Sequence, residues 1–334
     1  MPRVSLQMIA HAAGVSRMTV SRALRGAAEV SPKTAEKIQK LADEMGYVKD
    51  PAISQMMQSF RSQEKPVYLE TLGFVITHPE WIPEQQIETA KVTAETLGYR
   101  MDIIYSWEHG SPKAVARVLK ARGIRGVLLA PNASSDYPSY DLPTDQLTTV
   151  LLGSSLVNQG LPRVKLDYYQ AVSTLLDECF KRGYKRVGLC VDRSLNERTN
   201  RAFSAAFRVA DHSRGISWAE RGFYTFERYV DPGWKTWFED LKPDAVILGQ
   251  GNQYDQIRPY LNEIHTEVAA ASIDPEFGPE TLAGMMNNSS EVASTAVRVL
   301  VSWVRSRRYG HDPLASTIMI PGTWREGTSL PYRQ

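Results

Sequence analysis

Val4–Ala52 reads VSLQMIAHAAGVSRMTVSRALRGAAEVSPKTAEKIQKLADEMGYVKDPA, and its spacing of apolar and capping residues decides how the front of the chain folds. Leu6, Ile9, Ala10 and Ala13 recur at i, i+3, i+4 and i+7, the repeat of a helix buried along one stripe, with Ser5 placed as its N-cap. Gly14 stands where the chain must turn within a few residues, a position that a residue without Cβ fills without strain. Ser16 then caps a second helix, Ser16 to Leu24, that turns Val20 and Leu24 inward and leaves Arg17, Met18 and Arg22 on the other side. A third helix opens with Ser31 as N-cap and Pro32 at its first position, runs through Ile38, Leu41, Ala42 and Met45, and stops at Gly46. Thr34 stands where a full capping box would need Glu or Gln. Three helices with a tight glycine turn between the first two predict a helix-turn-helix; on spacing alone, a generic helical bundle is the alternative.

Working outward, the chain has 334 residues, 43% of them hydrophobic and 23% charged, which suits two or three globular domains. The net charge of +2 conceals an asymmetry. Residues 1–65 hold ten Lys/Arg against six Asp/Glu, and the rest hold 29 against 31, so the positive excess sits in the helical module. The cysteines, Cys179 and Cys190, stand in no disulfide framework and no zinc-ligand spacing. No early apolar stretch resembles a signal peptide, and no run of about 18 apolar residues predicts a membrane span. The expected setting is the cytoplasm, with no membrane partner, no metal and no cofactor.

The quoted stretch resembles the DNA-binding headpiece of the LacI family of bacterial transcription regulators. The resemblance rests on A-x-x-A-G-V-S-x-x-T-V-S-R at Ala10 to Arg22, V-S at Val30 and Ser31, and L-x-x-x-x-G-Y at Leu41 to Tyr47. It is close over the first 57 or so residues and continues beyond them by layout and weaker motifs. The resemblance implies that Arg17, Met18 and Arg22 read bases in the major groove. There an arginine can grip guanine O6 and N7 with two bonds, and a methionine can meet a thymine methyl. Hydroxyls at Ser16, Thr19, Ser21 and Ser31 would hold phosphates and fix register; Ser16 and Ser31 would also act as caps. A hinge helix is implied beyond Tyr47, with Met56 in the place of the family's minor-groove leucine wedge. Within that hinge, Lys49, Asp50 and Ile53 depart from the usual proline, asparagine and alanine. One headpiece buries too little surface to hold an operator, so a homodimer on a pseudo-palindromic site of double-stranded DNA is expected. No heptad tail follows the last domain motif, which favours a dimer over a tetramer.

The resulting domain plan is a helix-turn-helix domain with hinge helix at 1–57, a linker at 58–66, and an effector-binding and dimerisation domain at 67–334. In that last region short apolar runs alternate with helical patterns, as in parallel sheets covered on both faces. The expected strands are Leu72–Thr77, Met101–Tyr105, Gly126–Ala130, Thr149–Gly153, Arg186–Val191, Asp244–Gly249 and Val268–Ile273, with helices such as Glu84–Leu97 and Tyr168–Arg182 between them. The number of units suggests two α/β lobes. The family resemblance implies a periplasmic-binding-protein-like domain with its ligand between them, and local echoes at Arg182–Val187, Lys242–Val246 and Trp324–Thr328 support it.

Open α/β sheets bind ligands beyond the carboxyl ends of their strands. That rule selects Trp81, Asn132, Ser154, Gln250 and Asp274 as effector contacts. Asp274 leads because it fits the family position where a carboxylate meets a polar effector. Trp81 is equally readable as half-buried core. Gln250 replaces a usual asparagine, and Gly251 stands where the family has aspartate. A family arginine after the fifth strand is replaced by Thr199, flanked by Arg198 and Arg201, of which Arg198 is selected. The expectation is a DNA-binding regulator, with repression the favoured sign, controlled by a small polar effector such as a sugar or sugar derivative. An enzyme is the rival class, but G-x-S-x-G, Walker glycine loops and H-E-x-x-H are missing, and Gly249-Gln250-Gly251 lacks the third glycine of a dinucleotide fingerprint. A stand-alone solute-binding protein is the other alternative.

Overall fold

The computed structural model describes residues 6–16, 19–20, 23–24, 31–45, 68–79, 82–130, 139–143, 146–156, 160–214, 222–227, 232–263, 268–311 and 315–333. Two compact units divide the chain, Met1–Val67 and Tyr68–Gln334. Among the described residues, no helix is long and apolar enough to cross a membrane.

In the first unit, α1 (Leu6–Ala13) buries Ile9, Ala10 and Ala13 against Val20, Ala23 and, on α2 (Pro32–Glu44), Ile38 and Ala42. Gly14 takes φ +67° as the chain leaves α1, and its N–H donates to the His11 carbonyl at 3.4 Å. Helical hydrogen bonds resume at once, from Val20 N–H to Ser16 O (3.1 Å) and Leu24 N–H to Val20 O (3.0 Å). Leu24 packs half-buried on the core. The expected Ser5 cap and the Gly46 stop lie outside the described residues.

The second unit holds two lobes, each built on a six-stranded sheet among the described residues. The first sheet has β1 (Thr71–Ile76), β2 (Arg100–Tyr105), β3 (Gly126–Leu129), β4 (Thr148–Leu152), β5 (Arg163–Leu166) and β11 (Thr317–Ile320), in the order β11-β5-β4-β3-β1-β2, all parallel. The second has β6 (Val187–Asp192), β7 (Phe223–Phe226), β8 (Ala245–Leu248), β9 (Ala269–Ser272), β10 (Ala283–Met286) and β12 (Thr323–Arg325), in the order β12-β10-β9-β8-β6-β7. Only the β10–β12 pairing there is antiparallel among the described strands. Every residue of β3, β8 and β9 is buried, because helices cover both faces of a parallel sheet; hence the near-continuous apolar runs, broken only by Ser272 at the end of β9.

The helices are α3 (Glu84–Thr96), α4 (Pro112–Ala121), α5 (Tyr168–Lys181), α6 (Arg193–Arg198), α7 (Ala202–Arg214), α8 (Pro232–Leu241), α9 (Gln253–Glu263) and α10 (Ser289–Arg305). Although α10 follows the second sheet, it returns to the first lobe. Its stripe of Val292, Ala296, Val297, Leu300 and Val304 belongs to the same core as Leu72, Phe74 and Val150.

The chain therefore crosses between lobes three times, at Asp167, at Asn287–Asn288 and at Pro321–Gly322. The crossings are stitched together. Asp167 N–H donates to Ile320 O (2.9 Å), Asn288 Nδ2 to Pro321 O (2.8 Å) and Thr323 Oγ1 to Asn288 Oδ1 (3.1 Å). The three local echoes also acquire a physical role. Asp244 accepts the N–H groups of Lys185 and Arg186 at 2.8–3.1 Å, tying the amino ends of β8 and β6 together. Arg182, only 4% exposed, donates to both Glu326 carboxylate oxygens at 2.8 Å, to Leu330 O at 2.9 Å and to Glu178, and its guanidinium lies over the rings of Trp324 and Tyr332.

Candidate functional site

On the first unit, the helix after Gly14 is started by Ser16, whose Oγ accepts from Thr19 N–H at 3.1 Å and pairs with Thr19 Oγ1 at 2.9 Å. Ser31 repeats the arrangement: its Oγ accepts from Thr34 N–H at 3.3 Å and lies 2.7 Å from Thr34 Oγ1. Ser16 and Ser31 are exposed and Thr19 half-buried, so hydroxyls sit at two helix starts where backbone N–H groups favour anions. Arg17, Met18, Ser21, Arg22 and Met56 lie outside the described residues.

On the second unit, the carboxyl ends of both sheets carry polar side chains in buried surroundings. Ser154 follows β4 and Asp274 follows β9, as the strand-end rule expects. Trp81 and Asn132 lie outside the described residues. The backbone N–H of half-buried Gln250 donates to Gln253 Oε1 (3.2 Å). The glycine in place of the family's aspartate has a steric cause: a Cβ on Gly251 would stand 2.6 Å from Gly278 N and 2.9 Å from Asp274 O. The turn Pro275–Phe277 closes directly over it. Arg325, inside the echo near the chain's end, donates to the carbonyls of Leu282 (2.8 Å), Pro275 (2.9 Å) and Pro279 (3.2 Å), and so holds that turn behind Asp274.

Asp274 is 7% exposed. Asn287 Nδ2 donates to its Oδ2, while Oδ1 has no partner, and neither does Asn287 Oδ1. Burial, reinforced by the nearby charge of Glu276, pushes the Asp274 carboxyl up to about 7. Burial also raises the Tyr168 phenol to about 12, with Asp274 adding to the shift and Arg198 opposing it. Desolvation lowers the Arg198 guanidinium against the opposing charges of Asp192 and Tyr168. Arg198 thus falls in one electrostatic cluster with Asp274. Thr199 points elsewhere, its Oγ1 donating to Leu195 O and Asn196 O at 3.0 Å.

Sequence reasoning missed Asn287, Tyr168 and Thr77. Asn287 follows a four-residue strand, and Tyr168 opens α5 just after a lobe crossing. Thr77 Oγ1, at the end of β1, and Ser154 Oγ are, like the two Oδ1 atoms, buried without a partner. A buried polar atom costs about 1–3 kcal/mol when unsatisfied, and two such atoms stand at the strand ends of each lobe.

Comparison with known proteins bears on both units. Residues 5–50 match the family model described as bacterial regulatory proteins, lacI family. Catabolite control protein A of Priestia megaterium is 23% identical over 254 residues, 74% of each chain. In overall fold the chain is similar to the lac repressor dimer bound to operator and the anti-inducer ONPF, with a TM-score of 0.55 and 16% identity, covering 99% of this chain and 100% of that one. It is also similar to the transcriptional regulator CelR in complex with cellobiose, with a TM-score of 0.54 and 17% identity over 97% of this chain and 100% of that one. A helix-turn-helix unit followed by a two-lobed, periplasmic-binding-protein-like α/β unit is the plan this chain shares with them, and its residues 5–50 carry the DNA-binding domain of the lacI family of bacterial regulatory proteins.

Proposed function

We propose that the protein is an operator-specific repressor, working as a cytoplasmic homodimer, whose DNA affinity is set by a sugar or sugar derivative held between the two lobes. In this reading Arg17, Met18 and Arg22 read base edges, Ser16, Thr19, Ser21 and Ser31 hold phosphates, and Met56 wedges into the minor groove. Asp274, Ser154, Arg198 and Gln250, with Trp81 and Asn132, contact the effector, joined by Asn287, Thr77 and Tyr168. The observation that carries the effector reading is the set of unpartnered atoms, Asp274 Oδ1, Asn287 Oδ1, Ser154 Oγ and Thr77 Oγ1. Two are acceptors and two are hydroxyls, a set complementary to a ligand rich in O–H donors. The cellobiose complex of a protein with the same fold supports a carbohydrate. Binding would alter the packing of the three stitched crossings and shift the population able to grip DNA. No residue is assigned a catalytic role.

The test is a gel shift on the DNA upstream of the protein's own gene, with and without a panel of sugars, followed by assay of those sugars for turnover. Retarded DNA whose affinity changes with one sugar, and no sugar consumed, is expected. Turnover, or binding without preference for any sequence, would contradict the reading.

A further inference from the structure

The edge of the first lobe's sheet carries two cations that the effector reading does not use. Along β5 the residues alternate, with Val164 and Leu166 buried and Arg163 and Lys165 half-buried. Val164 belongs to the core built on α10, and Ile318 and Ile320 of the edge strand β11 pack on that same core. Side chains alternate across a strand, so Arg163 and Lys165 share the opposite face with their ladder partners Thr317 and Met319, both exposed. None of these four residues belongs to the effector set.

Among the described residues, no carboxylate forms an ion pair with either cation. Arg163 Nη1 donates to Gly153 O at 2.7 Å and Nη2 to Leu156 O, so the guanidinium clamps the segment after β4 through neutral carbonyls and with only part of its donor fork. Lys165 Nζ makes no hydrogen bond among the described residues. Asp167 is the acidic group whose charge Lys165 feels, yet its Oδ1 is engaged as the cap of α5, accepting from Gln170 N–H at 3.0 Å. Burial lowers the Arg163 guanidinium, and burial together with the charge of Arg163 lowers the Lys165 ammonium against the opposing pull of Asp167. Like charges withdrawn from water in this way are stabilised by an anion between them. Same-face neighbours on a strand stand about 7 Å apart, a spacing from which both long side chains can converge on one compact group. Their ladder partners are uncharged, which confines the positive charge to one spot and suits a single anion rather than a polyanion's run of phosphates.

We infer that Arg163 and Lys165, with the Thr317 hydroxyl beside them, form a binding site for a phosphate group on the sheet edge of the first lobe. The guanidinium and the ammonium supply charge-assisted donors, and the hydroxyl a further one. The site stands whether or not the cleft takes a sugar.

Acylation of the full chain with acetic anhydride, read lysine by lysine by mass spectrometry, tests it on the unmutated protein. Inorganic phosphate should slow acylation of Lys165 at least about fivefold and leave the exposed Lys113 and Lys120 of α4 unaffected, and sodium chloride at equal ionic strength should not reproduce the effect. The phosphate concentration that gives half-protection should rise about threefold in Thr317→Val and about tenfold in Arg163→Gln. Calorimetric titration with phosphate should lose one binding event in Lys165→Met and keep it in Lys165→Arg. Glycerol 3-phosphate run beside inorganic phosphate identifies the source: tighter binding of the ester marks a phosphorylated metabolite, and tighter binding of the free ion marks phosphate itself. Acylation of Lys165 indifferent to phosphate, equal protection by chloride, or an undiminished phosphate titration in Lys165→Met would overturn the site.

Discussion

Two buried polar clusters occupy opposite ends of the second lobe's sheet, and they differ in how completely they are satisfied. At the amino end, Arg182 has partners for all three guanidinium nitrogens and lies over the rings of Trp324 and Tyr332. At the carboxyl end, Asp274 and Asn287 hydrogen-bond each other, yet each keeps one buried oxygen without a partner. Polar groups of both kinds cost free energy to bury. Only the first set recovers that cost within the chain. The difference teaches where to look for function: a buried polar cluster that closes on itself holds the fold together, and one left open is where the reading proposed above places the effector.

The comparison breaks most visibly at Arg182. Arg182→Ala should lower the unfolding free energy by about 3 kcal/mol, because it removes the side chain that ties Glu326 and the Leu330 carbonyl of the carboxyl-terminal segment to α5. Urea denaturation followed by tryptophan fluorescence measures this, and effector affinity should stay within about twofold. Loss of affinity as large as the loss of stability would erase the distinction between the two clusters.

Asp274→Asn should behave in the opposite manner. The folded carboxyl titrates at about 7 against an ordinary 3.8, so the folded state holds an extra proton between those values. The site's contribution to stability is complete below the lower value and is lost as pH rises through the upper one. The asparagine variant lacks this dependence, and at pH 8 it should be more stable than the parent by about 2 kcal/mol. Effector binding should weaken in the variant, and in the parent it should strengthen roughly tenfold from pH 6 to pH 8 as the acceptor oxygen ionises. Thermal melts and titrations across that range read both effects.

Ser154→Ala is the mildest probe. Removing a hydroxyl with no partner should leave stability within about 0.5 kcal/mol, or raise it slightly, while reducing effector affinity about fivefold. A clear destabilisation would mean that the hydroxyl is satisfied in the folded protein after all.

Much of this architecture was legible from residues alone. The seven expected strands fall within a residue or so of β1, β2, β3, β4, β6, β8 and β9, because a strand covered on both faces is written as a short apolar run. Ser16 and Ser31 were readable as caps because capping demands a hydroxyl just before a helix. Asp274 and Ser154 followed from the strand-end rule. Asn287, Tyr168 and Thr77 did not, for a different reason in each case. β10 is a four-residue strand with glycine in it, the segment before Tyr168 returns to the other lobe, and β1 ends one residue before Thr77 rather than at it.

The central claim is that the cleft and the DNA-binding unit share one equilibrium. Fluorescence anisotropy of a labelled inverted repeat, selected from random DNA by the full chain, tests it most directly when titrated with and without a saturating sugar that the protein binds. The account predicts that operator affinity changes at least fivefold, that operator changes sugar affinity by the same factor, and that both effects vanish in Asp274→Asn. An operator affinity unmoved by saturating sugar would contradict it.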